Sequence, residues 1–104
     1  MPRSRKAATA AEVTEFTHIP NIGPAMAGDF ARLGIRRPRD LIGRDAMDLY
    51  DRLCRVTGQR HDPCVIDAFM SAVDFMEGAP AAPWWSYTAR RKSLVAKLSR
   101  KGRA

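Results

Sequence analysis

Apolar side chains recur every three or four residues in several stretches of this 104-residue chain, a spacing that places them on one face of an α-helix. The longest stretch begins at Asp62-Pro63, which makes a favourable helix start, and continues to about Glu77. Its apolar stripe comprises Val65, Ile66, Phe69, Met70, Val73 and Met76, with Phe75 on its flank above Ala68 and Ala72. This helix is predicted to pack in the core.

A second long helix is predicted between a capping aspartate, Asp45, and a terminating glycine, Gly58. Its apolar positions follow the spacing of a helix that covers a core with one side and meets water with the other. The inward set is expected to be Met47, Tyr50, Leu53 and Cys54, with Leu49 and Val56 at the margins.

Nearer the N-terminus the pattern predicts two helices joined by a tight turn. The first covers about residues 9–17, with Val13 and Phe16 facing inward. The second covers residues 24–33, and Gly34 is well placed to end it, because glycine takes the left-handed cap conformation at low cost.

The remaining elements complete an all-α fold. A short helical turn is predicted over residues 38–43, a Pro-rich linker over residues 78–83 and a final helix over about residues 88–100. Together the elements predict a compact bundle of four to five helices with a basic C-terminal helical extension. The expected organisation is a basic N-terminal tail (1–11), one helical domain (12–78), and a linker with a Trp-Trp pair and a basic segment (79–104).

The net charge of +7 is concentrated at the two ends of the chain. Residues 1–11 carry three basic side chains and no acidic one, and residues 78–104 carry seven basic side chains and no acidic one. Residues 12–77 carry eight basic and eleven acidic side chains, which makes the central part mildly acidic. A polyanion such as DNA or RNA would attract the ends through counterion release, and an anionic membrane would attract them for a similar reason.

The turn before the second helix has the composition of a phosphate-binding element. Pro20 stiffens its entry, Gly23 is expected to take a conformation closed to most side chains, and Pro24 suits the first helical position. Helix N-termini present unpaired amide N–H groups and partial positive charge, which together favour an anion. The predicted contacts come from Asn21, Ile22, Gly23, Ala25 and Met26. The alternative is a turn used only for packing.

The order Ile-Pro-x-Ile-Gly-Pro in this turn resembles the helix-hairpin-helix family, whose members mostly hold nucleic-acid backbones without reading sequence. Asn21 stands where that family usually has glycine, and asparagine tolerates the left-handed backbone region. The family often carries a lysine or arginine near the positions of Ala25 and Met26, and this chain does not.

The motifs taken in order resemble a narrower group, the small bacterial "pathogenicity locus" or mitomycin resistance-like family. They are Ile19 to Pro24, Leu33 to Ile35, Asp40 to Asp45, Leu49 to Cys54, Asp62 to Cys64 and Trp84-Trp85. The resemblance covers about residues 13–85 and implies a compact helix-hairpin-helix (SAM-like) bundle with two hairpin-like units around one core. The second unit would be the turn over residues 41–45, which lacks the double apolar-glycine pattern.

Two further groups of side chains are candidates for nucleic-acid contact. Near the second turn lie Arg36, Arg37, Arg39 and Arg44, which could bind phosphates or could form a solvated face paired with Asp40, Asp45 and Asp48. Towards the C-terminus, Trp84, Trp85 and Tyr87 precede Arg90, Arg91 and Lys92. This second pattern suits base stacking on single strands, anchoring at a membrane interface, or folding back onto the core.

Cys54, His61 and Cys64 form the only candidate metal-binding set, and their spacing lacks a clear fourth ligand unless Asp62 or His18 supplies it. The favoured alternative is two small apolar core residues, and a Cys54–Cys64 disulfide or thiol redox chemistry remains open. No phosphate-binding Gly-Lys-Ser/Thr loop and no nucleophilic triad stand out. We therefore expect neither a metal nor a cofactor, and no enzymatic activity.

No apolar run approaches the ~20 residues that span a bilayer, and no signal peptide is evident, so a cytoplasmic location is expected. The predicted function is binding of nucleic acid without sequence preference, with DNA as the expected ligand and RNA as the variant. The rival hypotheses are a protein-interaction adaptor with a purely structural hairpin, and peripheral membrane binding through the C-terminal segment. The pattern leaves the oligomeric state open.

Overall fold

The computed structural model describes residues 6–102, with side chains described as far as Leu98. Over these residues the regular structure is entirely helical, which confirms the predicted all-α class. The α-helices are α1 (Pro24–Arg32), α2 (Ala46–Thr57), α3 (Cys64–Met76) and α4 (Thr88–Gly102). Short 3₁₀ turns cover Ala10–Glu12, Phe16–His18, Pro38–Leu41 and Trp84–Tyr87.

Helix α3 lies at the centre of the fold and is buried on nearly every side. The predicted apolar stripe is buried except for Val65, which is half-buried, and Asp67 and Ser71 are buried with it. Helix α2, the turn at Pro38–Leu41, the turn at Trp84–Tyr87 and helix α4 all pack against α3. A helix that is covered all round needs apolar residues all round, which accounts for the additional buried residues Ala68, Ala72 and Phe75.

A row of aromatic rings connects the N-terminal part of the chain to α3. The ring centroids of Phe16 and Phe30 are 5.0 Å apart, and those of Phe30 and Phe69 are 5.2 Å apart. Ring pairs at such separations add to the stabilisation that comes from burial alone. The Phe16–His18 turn and helix α1 are thereby fixed on one side of the core.

The predicted helix over residues 9–17 is wrong. Two separate 3₁₀ turns stand in its place, and Val13 between them is extended. The Nδ1 atom of His18 accepts hydrogen bonds from the backbone amides of Thr14 (3.2 Å) and Glu15 (3.3 Å), and these side-chain bonds replace the bonds that a helix would make. The inward orientation of Val13 and Phe16 is confirmed, since both are half-buried against the core.

Helix α2 has the predicted ends but a different buried face. The carboxylate of Asp45 accepts hydrogen bonds from the amides of Met47 (2.8 Å) and Asp48 (3.2 Å), and Gly58 ends the helix with φ +69°. The face that meets the core consists of Ala46, Leu49, Tyr50 and Leu53. The expected inward residues Met47 and Cys54 are only half-buried, and the marginal Leu49 is fully buried, because the helix is rotated towards α3 and α1.

The C-terminal segment folds back onto α3. Asp67 is fully buried, and its carboxylate accepts hydrogen bonds from Thr88 Oγ1 (2.7 Å) and Arg91 Nε (2.9 Å) at the start of α4. Trp84 is half-buried, whereas Trp85 is 63% exposed. The predicted boundary at residue 78 therefore separates two parts that are in direct contact.

We predict that Arg91→Ala destabilises the protein by about 3–5 kcal/mol, because it leaves the buried Asp67 carboxylate with a single partner. Arg90→Ala is the matched control: Arg90 pairs with Asp74 at 3.0 Å, but its side chain is 59% exposed, and the expected loss is below about 1 kcal/mol. Urea unfolding followed by circular dichroism measures both values. Equal losses for the two variants would contradict the role given to Asp67.

A second prediction concerns one glycine inside helix α1 and the glycine that follows its C-terminal end. Gly28 lies inside the helix, and a Cβ added there meets no atom within 4 Å, so Gly28→Ala is expected to stabilise the protein by about 0.5–1 kcal/mol. Gly34 ends the helix with φ +79°, so Gly34→Ala is expected to destabilise it by about 1 kcal/mol. Thermal unfolding of both variants tests the opposite signs, and a stabilising Gly34→Ala would count against the cap.

Candidate nucleic-acid interface

The turn that precedes α1 is fixed by two fully buried side chains, Ile19 and Ile22. The amide of Ile22 donates to the carbonyl of Ile19 at 3.1 Å, which closes the turn. The left-handed residue is Asn21, with φ +73°. Gly23 is extended, with φ −99°, and a Cβ added there meets no atom within 4 Å, so the predicted need for glycine at this position is wrong. Asn21 takes the left-handed conformation in this turn instead.

The Asn21 side chain connects this turn to two distant parts of the chain. Its Nδ2 donates to Ser71 Oγ on α3 at 2.9 Å and to the carbonyl of Ala82 in the linker at 2.8 Å. The side chain is therefore a structural tie, and so is the amide of Ile22 within the turn. Of the predicted contact residues, Gly23, Ala25 and Met26 have backbone amides that make no such structural bond.

Within the described residues, no acceptor bonds the amide N–H groups of Gly23, Ala25 and Met26. Gly23 and Met26 are partly exposed, Ala25 is exposed, and the first turn of α1 contains no acidic side chain. Unpaired amides at a helix N-terminus carry partial positive charge and suit an anion. The first turn of α1 can therefore accept a phosphate oxygen without displacing an existing bond.

A positive charge approaches the same turn from the N-terminal segment. The Lys6 ammonium donates to the backbone carbonyls of Thr17 (2.9 Å), Ile19 (3.2 Å) and Ile22 (2.6 Å), and the amide of Ala7 donates to the carbonyl of His18 at 2.7 Å. From the sequence, Lys6 is predicted only as part of the basic N-terminal tail. No sequence signal identifies it, because its partners are backbone atoms 11–16 positions away.

The second turn, at residues 41–45, differs from the first because carboxylates of this chain already bond amides in the turn and in the first turn of α2. The amide of Gly43 donates to Glu77 Oε2 at 2.8 Å, and the Asp45 carboxylate accepts from the amides of Met47 and Asp48, the second and third residues of α2. Carboxylates of this chain thus occupy the positions that a phosphate would need. The two hairpin-like units expected from the family resemblance are therefore not equivalent.

The arginines near the second turn spread over three shallow grooves. Arg36 lines a groove of about 320 Å³ with Ala27 of α1, whereas Arg37 and Arg39 line one of about 430 Å³. Arg44 lines a third, of about 390 Å³, between α2, α3 and α4. The predicted pairing with acidic residues holds for Arg37, whose guanidinium lies 3.6 Å from the Asp40 carboxylate. Arg36 is the arginine placed beside α1.

The basic residues at the start of α4 have different surroundings. Arg91 is only 14% exposed and bonds Asp67, so its guanidinium is used inside the protein. Arg90 lies over the Tyr87 ring at 5.5 Å, pairs with Asp74, and lines the same groove as Arg44. Lys92 is exposed. The predicted C-terminal contact set is thereby reduced to Arg90 and Lys92.

The three candidate metal ligands do not come together. Among the described residues, no group of three or more His, Cys, Asp or Glu side chains could hold a metal ion. Cys54 and Cys64 are free, and His61 Nε2 lies 2.8 Å from Thr57 Oγ1. A hydrogen bond to the Asp62 carboxylate, together with burial, raises the pKa of the Cys64 thiol, which disfavours the thiolate that metal binding and redox exchange require.

The described part of the chain contains no helix long and apolar enough to cross a bilayer.

Comparison with known proteins agrees with the motifs. The model of the Cdd1 pathogenicity locus family matches residues 9–93. The mitomycin resistance protein McrB of Streptomyces lavendulae is 46% identical over 88 residues, which cover 85% of this chain and 84% of that protein. No solved structure matches the chain. Because the family match includes the turn before α1, all of α1 to α3 and the start of α4, the chain belongs to the pathogenicity locus family.

Proposed function

We propose that this protein binds nucleic acid without sequence preference, by holding a backbone phosphate at the first turn of α1. The observation that carries the proposal is that no acceptor bonds the amides of Gly23, Ala25 and Met26 within the described residues, and that these residues are partly or fully exposed. The second turn strengthens the argument by contrast, since the Glu77 carboxylate already bonds its Gly43 amide. Two turns of related form thus differ in whether carboxylates of this chain already bond their amides.

Backbone amides account for the absence of sequence preference. Contacts to phosphate fix the position of a protein on a nucleic acid, whereas base-edge contacts read its sequence. The proposed contacts run from main-chain N–H groups to phosphate oxygens, which every nucleotide carries. DNA is the proposed ligand, and RNA is the alternative ligand that the same chemistry allows.

Exposed basic side chains supply the remaining affinity in this proposal. Arg36 stands beside α1, and Lys92 and Lys97 are exposed on α4. Each phosphate that a cation neutralises releases counterions, so binding should weaken steeply as salt rises. The proposed role is that of a cytoplasmic accessory factor without catalytic chemistry of its own.

One observation favours a second candidate, a protein-interaction adaptor. Val95 and Leu98 on α4 are 38% and 43% exposed, respectively, and lie three residues apart on one side of the helix. An exposed apolar side of this kind suits a partner helix. Val95→Ser combined with Leu98→Ser would abolish capture of a defined protein partner and leave DNA binding unchanged if the two functions are separate.

A charge substitution at Gly23 tests the phosphate contact. Gly23→Glu places a negative charge beside the proposed phosphate without straining the turn, because Gly23 is extended and its Cβ position is open. Loss of charge-assisted hydrogen bonds should weaken binding of a fluorescent duplex at least about tenfold, measured by anisotropy.

Two control variants distinguish the effect of placing a charge at Gly23 from the effects of side-chain size and of net charge. Gly23→Gln has nearly the same size without the charge, and Ala31→Glu adds the charge on an exposed position of α1 away from its first turn. Both should change affinity less than about threefold. Equal loss in Gly23→Glu and Ala31→Glu would refute the contact, since it would show only a response to net charge.

A further prediction concerns the salt dependence of binding and Arg36. Arg36→Gln should reduce the slope of log affinity against log salt by about one and should weaken two unrelated duplex sequences equally, as expected for a phosphate contact. Arg55→Gln is the matched control, because Arg55 is exposed on the last turn of α2. A sequence-dependent loss in Arg36→Gln would instead indicate a base contact.

A further inference from the structure

One face of helix α3 holds the start of α4 through two aspartates. Asp67 and Asp74 are seven residues apart, which places them on the same face, about two turns from each other. The Asp67 carboxylate accepts a hydrogen bond from Arg91 Nε at 2.9 Å, and the Asp74 carboxylate pairs with Arg90 at 3.0 Å. The start of α4 therefore lies on the aspartate face of α3.

The opposite face of α3 meets the N-terminal part of the chain. Phe69 and Met76 are also seven residues apart, and each lies two residues after one of the aspartates, which is about 200° around the helix. The Phe69 ring is 5.2 Å from the Phe30 ring of α1. Met76 lines a groove together with Arg37 and Arg39. Helix α3 thus lies between α4 on one side and α1 with its neighbouring arginines on the other.

The proposed phosphate contact belongs to the side of α1. The row of aromatic rings that starts at Phe69 on α3 ends at Phe16, which lines the groove of Arg36. The same groove is lined by Ala27, which follows the contact residue Met26 directly. We call the first turn of α1 together with Arg36 the hairpin side.

The basic residues of α4 form a second surface, which we call the α4 side and define by Lys92 and Lys97. Both are exposed. Around the helix they lie about 100° and 120°, in opposite directions, from Arg91, which faces α3. Residues 78–104 contain seven basic side chains and no acidic one, so this surface attracts a polyanion.

One straight duplex cannot contact both sides. Packed helices lie 8–10 Å apart, so the helices that flank α3 place the two sides about 20 Å from each other, with the core between them. A duplex stays nearly straight over about 150 base pairs, a length far greater than this protein. We infer that a single chain binds two nucleic-acid duplexes at once, one on the hairpin side and one on the α4 side. This inference rests on the proposed function, which supplies the first of the two surfaces.

A capture experiment tests the bridge. One short duplex is fixed on beads, a second short duplex carries a fluorophore, and the full chain is added in increasing amounts. Capture of the fluorescent duplex should rise to at least about fivefold above background and then fall when protein exceeds duplex, because each duplex then carries its own chain. Absence of capture would overturn the bridge. A rise to a plateau without a fall would also overturn it, since it would indicate that two bound copies join.

Variants of each side identify the two surfaces. Gly23→Glu on the hairpin side, and Lys92→Glu combined with Lys97→Glu on the α4 side, should each reduce capture at least about tenfold. Each variant should still bind one duplex in an anisotropy measurement, through its intact side. An equal mixture of the two variants should capture no more than either alone. Capture at the wild-type level by the lysine variant would overturn the α4 side.

The matched control is Arg55→Glu combined with Arg60→Glu, which makes the same change in net charge at two exposed positions outside both sides. It should change capture less than about threefold, and a loss equal to that of the lysine variant would overturn the assignment of the α4 side. Lys92→Gln combined with Lys97→Gln repeats the test if charge reversal unfolds α4, which circular dichroism detects.

Binding of a single duplex distinguishes failure of the bridge from failure of the proposed function. If Gly23→Glu binds one duplex as tightly as wild type, the proposed function fails, and the hairpin side fails with it. If Gly23→Glu binds one duplex more weakly but wild type captures no second duplex, the bridge alone is overturned.

Discussion

Helix α3 has almost no side that faces water, and this constraint organises the rest of the chain. Ten of its 13 residues are buried, so helices and turns from both ends of the sequence must cover it. The buried Asp67 carboxylate makes the covering specific, because its oxygens require Thr88 and Arg91 at defined positions. A buried charge that loses its partner is costly, and the start of α4 is therefore held against α3.

The features that depend on neighbouring residues could be predicted from the sequence. The Asp45 cap, the glycine ends at Gly34 and Gly58, and the apolar stripe of α3 all appear where local chemistry places them. In the candidate site the same holds for the start of α1, where Pro24 occupies the first helical position. Spacing and capping are short-range properties, and they are visible in a single sequence.

The features that the sequence does not predict depend on side chains that bond backbone atoms or on residues far apart in the chain. The His18 ring bonds two backbone amides that a helix would have used, and propensity alone does not reveal this competition. Asp67 is a charged residue within an apolar stripe, and its burial becomes intelligible only with Arg91 beside it. In the site, Lys6 and Glu77 bond backbone atoms of the two turns. The residue pattern does not reveal which backbone atoms a side chain bonds.

The tie made by Asn21 has a consequence for the mutational tolerance of the hairpin. The position demands a left-handed backbone and a side chain that donates both to Ser71 and to the carbonyl of Ala82. Glycine meets the first demand and not the second, and aspartate, which has no N–H to offer, would turn an acceptor towards that carbonyl. Glutamine can donate but is a poor left-handed residue. Of the common residues only asparagine meets both requirements, so this turn tolerates far fewer substitutions than a glycine turn of the same shape.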